Sequence, residues 1–216
     1  GSDDSMYSHM NRLERWKNMV GNLDEKSNVT AKEVSSYCYT GAEGQQRNRL
    51  KSSGNEERYR GDPWRMTSCS TGNVSYWEML QRAKANPEAE MQRVLEFNVA
   101  KYMDKHRMAE MNKKEGLPTT ITGKLFDDVQ KNYGNFTVDY VQHIINHRAD
   151  IEKLYAGIKQ KLDKAASLTP VNRFFSAGCT NVIVGCILGN RLGIIDYDYK
   201  KLFDWIVKEL IRAKSE

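Results

Sequence analysis

Residues 5 to 20, SMYSHMNRLERWKNMV, put Met6, Met10, Leu13 and Trp16 on one face at helical spacing, which predicts an amphipathic helix leading into the acid pair Asp24-Glu25. TAKEVSSYCYTGAEG (30–44) opens with Thr30 and carries Glu33 three residues on, a capping-box pattern that predicts a short helix ending at Gly41 or Gly44. Polar residues then dominate: 45–73 read as two short arms around Ser53-Gly54-Asn55, a hairpin, then a strand at 64–70 ending in a polar loop. SYWEMLQRAKA (75–85) predicts helix, EMQRVLEFNVA (90–100) shortens to a strand-like apolar run, and KYMDKHRMAEMNKKEG returns to helix. From about 119 nearly every segment has helical periodicity, with Thr122, Thr137, Thr169 and Asp196 as expected N-caps and Gly134 and Gly193 following helix ends.

The pattern therefore predicts a mixed α/β part to about residue 115 and an all-helical part from 116 to 216, helix-rich overall. No internal repeat, low-complexity tract or long linker separates the two.

Composition narrows this only a little. At 216 residues, 39% hydrophobic and 10% aromatic, the chain has the material for one sizeable core or two small ones, so disorder is not the default. A formal charge of +5 permits a polyanionic partner without requiring one. Cys38, Cys69, Cys179 and Cys186 form no CxxC pair and no zinc-type cluster with histidine, which points to reduced thiols and a cytoplasmic setting. The longest apolar run, NVIVGCILG at 181–189, is shorter than a bilayer span, so no membrane partner is expected. Gly1-Ser2 reads as a cloning remnant, with the natural protein expected to continue upstream.

Two signals are weaker than they look. PTTITGKLF (118–126) echoes a phosphate loop through Gly123-Lys124, but it lacks the first glycine and has Leu125 where a Ser or Thr should meet magnesium; a helix start accounts for it more simply. HIINH places His143 and His147 one turn apart without an intervening carboxylate base or an evident third ligand, so a satisfied or exposed histidine pair is the expectation.

Order gives the acid pair its interest. Asp24-Glu25 is followed by the strand WRMTSC and then by Ser70, Thr71 and Asn73, a separation that suits adjacent strands with an inserted hairpin. The runs DSMYSHMNRLERWKNMVGNLDE, SSYCYTGAEGQQRNRL, NEERYRGDPWRMTSCSTGN and EAEMQRVLEF resemble the ATPase core of phage and plasmid primase-helicases, relatives of the superfamily-three helicases within the AAA+ group. KLFDDVQKNYGNFTVDYVQHII and RFFSAGCTNVIVGCILGNRLGIIDYDYKKLFDWIV resemble the helical tail of the same proteins.

The resemblance implies a partial AAA+ P-loop core at 1–115 and a helical C-terminal domain at 116–216, with ATP and Mg2+ as cofactors. It makes Asp24 the magnesium-ordering Walker B acid, Glu25 the acid that polarises the attacking water, Asn73 the sensor-one residue, and Arg93 an arginine that reaches a neighbouring subunit's nucleotide. It puts the phosphate loop upstream of Asp24-Glu25, outside this chain, so little hydrolysis is expected of the chain alone. It also implies a homo-oligomeric ring, a hexamer, working on single-stranded DNA in the cytoplasm of a phage-infected or plasmid-bearing cell. The hairpin supplies matching chemistry: Arg47, Arg49, Lys51, Arg58, Arg60 and Arg65 can neutralise phosphates, and the interleaved Tyr59 and Trp64 can stack on bases. A solvated hairpin laced with salt bridges to Glu56, Glu57 and Asp62 accounts for the same residues. A non-enzymatic nucleic-acid-binding or assembly module is the alternative to the helicase; a packaging motor would need a downstream acid cluster that the sequence lacks.

Overall fold

The computed structural model describes residues 6–23, 29–46, 48, 54, 56, 57, 59, 61–83, 85–99 and 121–215. Among these the protein is helix-rich. By packing it forms two units, Gly1–Glu96 with Leu168–Gly178, and Phe97–Ser167 with Cys179–Glu216.

In the first unit α1 (Met6–Trp16) runs into β1 (Gly21–Leu23), and α2 (Ala31–Glu43) precedes β2 (Ser68–Ser70), α3 (Tyr76–Ala83) and α4 (Glu88–Met91). The capping box of α2 forms as its sequence dictates. Thr30 Oγ1 accepts the Glu33 N–H, the Glu33 carboxylate accepts the Thr30 N–H at 2.8 Å, and the helix stops at Gly44 in the left-handed region. Two small cores result: Leu13 and Trp64 with Trp16, Tyr37 and Met66 packed against them, and Val34, Cys38 and Leu80 with Val29, Tyr76, Met79, Met91 and Val94. Tyr37 and Cys38 are neighbours in α2, so one helix serves both clusters from adjacent positions.

Several expectations need correcting here. Strand is confined to Ser68–Ser70 instead of 64–70, because Trp64 turns into the core and its N–H goes to Gly44 O at 2.7 Å. The 90–100 run is not a strand: α4 ends at Met91, Val94 packs into the second cluster, and the Glu96 carboxylate accepts the Tyr76 N–H at 2.6 Å and the Ser75 hydroxyl at 2.7 Å. Glu96 thus serves the start of α3, where a negative charge meets unsatisfied N–H groups and the positive end of the helix dipole. The proposed helix at 101–116 and most of the hairpin lie outside the described residues.

The second unit is built from longer helices: α5 (Ile121–Asn132), α6 (Thr137–Asn146), α7 (Arg148–Ala165), most of α8 (Arg173–Arg191) and α9 (Tyr199–Ser215). Its core includes Leu162 of α7, Cys179, Ile183, Ile187 and Leu188 of α8, and Ile206 and Leu210 of α9. Lys214 closes the C-terminal end of α7 by donating to the Ala166 and Ser167 carbonyls at 2.7 and 2.8 Å. Asn190 clamps the turn into α9, donating to Tyr197 O at 2.6 Å and accepting from its N–H at 3.1 Å. Gly134 and Gly193 do adopt positive φ after helix ends, and Thr169 does cap the turn Pro170–Asn172.

The other expected caps shift. Asp198, and not Asp196, accepts the Lys200 and Lys201 N–H groups at the head of α9, and these contacts hold its carboxyl below the ordinary range. Thr137 opens α6 behind Phe136, and Thr122 lies inside α5. The 181–189 apolar run belongs to a longer helical stretch, Pro170–Arg191, which is long and apolar enough to cross a membrane by length and composition; half of its apolar window is buried inside the protein, as in a core helix.

Candidate nucleotide edge and basic excursion

β1 and β2 pair in parallel, with Gly21 opposite Ser68, Asn22 opposite Cys69 and Leu23 opposite Ser70. The Gly21 N–H extends the pairing to Thr67 O at 3.1 Å. Gly21 is buried, and a side chain there would meet Ser68 Oγ at 3.3 Å and the Trp16 ring at 3.4 Å, so glycine lets the end of α1 lie close on the strand. Because the strands share direction and Leu23 faces Ser70, they finish at the same edge. Asp24-Glu25 follow Leu23 in sequence and lie outside the described residues; Thr71, Gly72 and Asn73 follow Ser70 and are exposed. Among the described residues no group of three or more metal-ligating side chains comes together.

Between the two strands, residues 44–46 and 61–65 come together beside α1. Trp64 N donates to Gly44 O, Gln45 Nε2 donates to Gly61 O at 3.2 Å, and Gln46 Nε2 bridges Asn11 and Glu14 of α1 at 3.0 and 2.8 Å. Glu14 accepts the Asp62 N–H at 3.1 Å, while the Arg65 N–H donates to Lys17 O at 3.0 Å. Two glycines permit this closure. Gly44 (φ 71°) would place a Cβ 2.7 Å from the Trp64 carbonyl oxygen, and Gly61 (φ 82°) would place one 2.5 Å from the Glu14 carboxylate. The result is a tied neck that brings 44–46 beside 61–65, with Lys17 and Asp62 across its base at 2.7 Å. The Lys17 ammonium, and then the Tyr59 hydroxyl at 2.8 Å, hold the Asp62 carboxyl below its ordinary range.

Of the expected DNA-contacting residues, Arg47, Arg49, Lys51, Arg58 and Arg60 lie outside the described residues; Arg65 and Tyr59 are exposed. Trp64 corrects the sequence reading. It is 2% exposed against Leu13, and its indole N–H donates to Gly41 O at 3.2 Å, so its ring is a core anchor and cannot stack on a base. Sequence reasoning passed over Glu14, Lys17, Gly44 and Gly61 as the neck's anchors. Two of them are glycines flanking a basic run, which was the only local sign.

Arg93 turns onto its own unit. Its guanidinium lies over the Tyr39 ring at 4.7 Å and the Phe174 ring at 5.5 Å, and it donates to Ala89 O. Nearby Glu90 is fully buried and accepts from Ser35 Oγ at 2.7 Å. Burial first, and then the Glu90 charge, push the Cys38 thiol up to about 12, so this cysteine is an inert core group. Cys179, pushed up to about 11 by burial, is another. His143 and His147 stack at 4.3 Å with His147 exposed. No protein-family model, curated protein or solved structure matches the chain.

Proposed function

We propose that this chain is the C-terminal portion of a phage-type replicative helicase or primase-helicase, an AAA+ ATPase that couples hydrolysis to movement along single-stranded DNA. The observation that supports this is the parallel β1–β2 pair with Leu23 opposite Ser70. Parallel strands deliver the residues that follow them to a common edge, and open α/β sheets bind ligands at that edge. In this reading Asp24 holds Mg2+, Glu25 polarises the attacking water and Asn73 aligns it, with the phosphate loop contributed by sequence upstream. Bound Mg2+ would supply charge neutralisation on the phosphate oxygens. Arg93 serves a neighbouring subunit's site in a homo-oligomeric ring, which requires it to leave Tyr39 and Phe174. The basic residues of 47–60, bracketed in sequence by the Gly44–Trp64 contact, meet the DNA backbone in the host-cell cytoplasm.

A specific observation favours the competing reading of a non-enzymatic nucleic-acid-binding module: Arg93 is occupied within its own unit. ATP turnover by the full-length parent protein decides between them. The ATPase reading expects Glu25→Gln to lose most turnover while keeping nucleotide binding. Full turnover in that variant removes Glu25 from catalysis, and a parent protein that binds single strands without hydrolysing ATP makes the chain a binding module.

A further inference from the structure

Helices α6 and α7 meet at a single residue, His147, whose backbone is held from both sides. The His147 N–H donates to His143 O at 3.0 Å, and the His147 carbonyl accepts the Asp150 and Ile151 N–H groups at 3.1 and 3.0 Å. His143 lies one turn earlier, at the i, i+4 spacing that stands two side chains one above the other. The two imidazoles stack with centroids 4.3 Å apart and planes tilted by 29°. His143 is half-buried and His147 exposed.

Hydrogen bonding sets which ring atoms are available. His147 Nδ1 lies 3.0 Å from the His143 carbonyl oxygen, and a carbonyl can only accept, so Nδ1 carries the proton. In the neutral ring Nε2 then keeps its lone pair on the side away from that carbonyl. A ring nitrogen donating to a backbone carbonyl is what fixes the tautomer and orientation of a metal-ligating histidine. Bonds of about 2.0–2.1 Å put two coordinating nitrogens roughly 3 Å apart. Stacked rings at 4.3 Å reach that separation by small χ rotations that tip one edge of the stack together. Arg148, the cation next to His147 in sequence, donates to Glu152 at 2.8 Å, which offsets its repulsion of a bound ion.

We propose that His143 and His147 form a two-imidazole site for a late first-row divalent ion, of the Cu2+, Ni2+ and Zn2+ class, which clamps the last turn of α6 to its joint with α7. Imidazole nitrogen suits these ions, whereas Mg2+ and Ca2+ take oxygen ligands, so the site is independent of the ATPase reading and its Mg2+. Among the described residues no group of three or more metal-ligating side chains comes together. The pair therefore supplies two of the ion's ligands and leaves its other positions to donors such as water.

Calorimetric titration of the tag-free chain with Ni2+ alone tests it. The expected result is saturable binding of one ion per chain and a rise in the thermal midpoint read by circular dichroism, because an ion that binds the folded state stabilises it by mass action. His143→Ala and His147→Ala should each lose the saturable heat and the midpoint shift, since either leaves a single imidazole, whereas His9→Ala in α1 should keep both. His147→Gln, which keeps a polar side chain at the joint, should fail to bind as His147→Ala does, and far-UV circular dichroism without Ni2+ should match wild type in every variant. With Cu2+ in place of Ni2+, electron paramagnetic resonance should show coupling to two nitrogens in wild type and to one fewer in either alanine variant. A chain with no saturable Ni2+ binding overturns the proposal. So does binding undiminished by substitution of either histidine, or binding lost instead in Cys69→Ser, which removes the exposed thiol.

Discussion

The two units hold themselves together by different means. The helical unit relies on long elements with buried aliphatic faces, Leu162, Ile183, Leu188, Ile206 and Leu210, and uses polar contacts mainly to finish helix ends. Among its described residues the first unit has short helices, two strands of three residues and two small clusters. It compensates with glycines at close approaches and with polar stitches between residues far apart in sequence, such as Glu14 to Asp62 and Ser35 to Glu90. The candidate chemistry sits in the unit stabilised the second way. The neck of that unit rests on the Trp64 anchor together with its polar ties.

The largest test of this contrast compares Trp64→Ala with Leu210→Ala. Removing the Trp64 ring should cost about 3–5 kcal/mol, and removing the Leu210 side chain about 2–5 kcal/mol. Similar energies should have unlike consequences. Trp64 is one of two buried members of its cluster and also fixes the neck, so its loss should release 44–67 to proteolysis while the α7–α9 helical signal persists. Leu210→Ala should lower the helical transition and leave proteolysis near the neck unchanged. Limited proteolysis alongside thermal circular dichroism reads both, and equal protease sensitivity in the two variants would break the distinction.

Gly44→Ala sharpens the point at about 2 kcal/mol, because it combines a left-handed backbone with a Cβ forced to 2.7 Å from a backbone oxygen that cannot swing aside. Chemical denaturation should show this loss, whereas Gly54→Ala, at positive φ with open space around it, should cost only the backbone strain. In the other unit, Lys214→Ala removes the donor to two C-terminal carbonyls of α7 and should cost about 1 kcal/mol, measured in the same way.

What was legible in the sequence follows the same division. The α2 box could be read because Thr30 and Glu33 are three residues apart and make their bonds with each other. The order of the Asp24 segment and the second strand suggested neighbours, and β1 pairs with β2. Trp64 was misread because nothing within a few residues tells a stacking ring from a core ring; Leu13, which decides it, lies in α1. The 90–100 run looked like a strand because Val94 and Phe97 are apolar, but Val94 packs against α2 and Glu96 serves α3, both contacts made through tertiary structure. Asp196 and Asp198 are equally good caps on paper, and only the position at which α9 begins selects the second.

The smallest expected effect is a pH dependence confined to the neck. Lys17 and then Tyr59 lower the Asp62 pKa from its ordinary 3.8, so the folded state binds this proton less readily than the unfolded chain. The stability from this group is therefore present above 3.8 and is lost as pH falls through the lower folded value. Both partners are exposed, so salt should weaken the effect further. Asp62→Asn should flatten the acid limb of stability against pH slightly at low salt and leave the neutral-pH limb parallel to wild type. The Asp62 N–H bond to Glu14 comes from the backbone and survives the substitution, so the neck itself should stay closed. Denaturation midpoints between pH 2 and 7 measure this, and an acid limb identical to wild type at low salt would show that the neck is held by its backbone bonds and glycines alone.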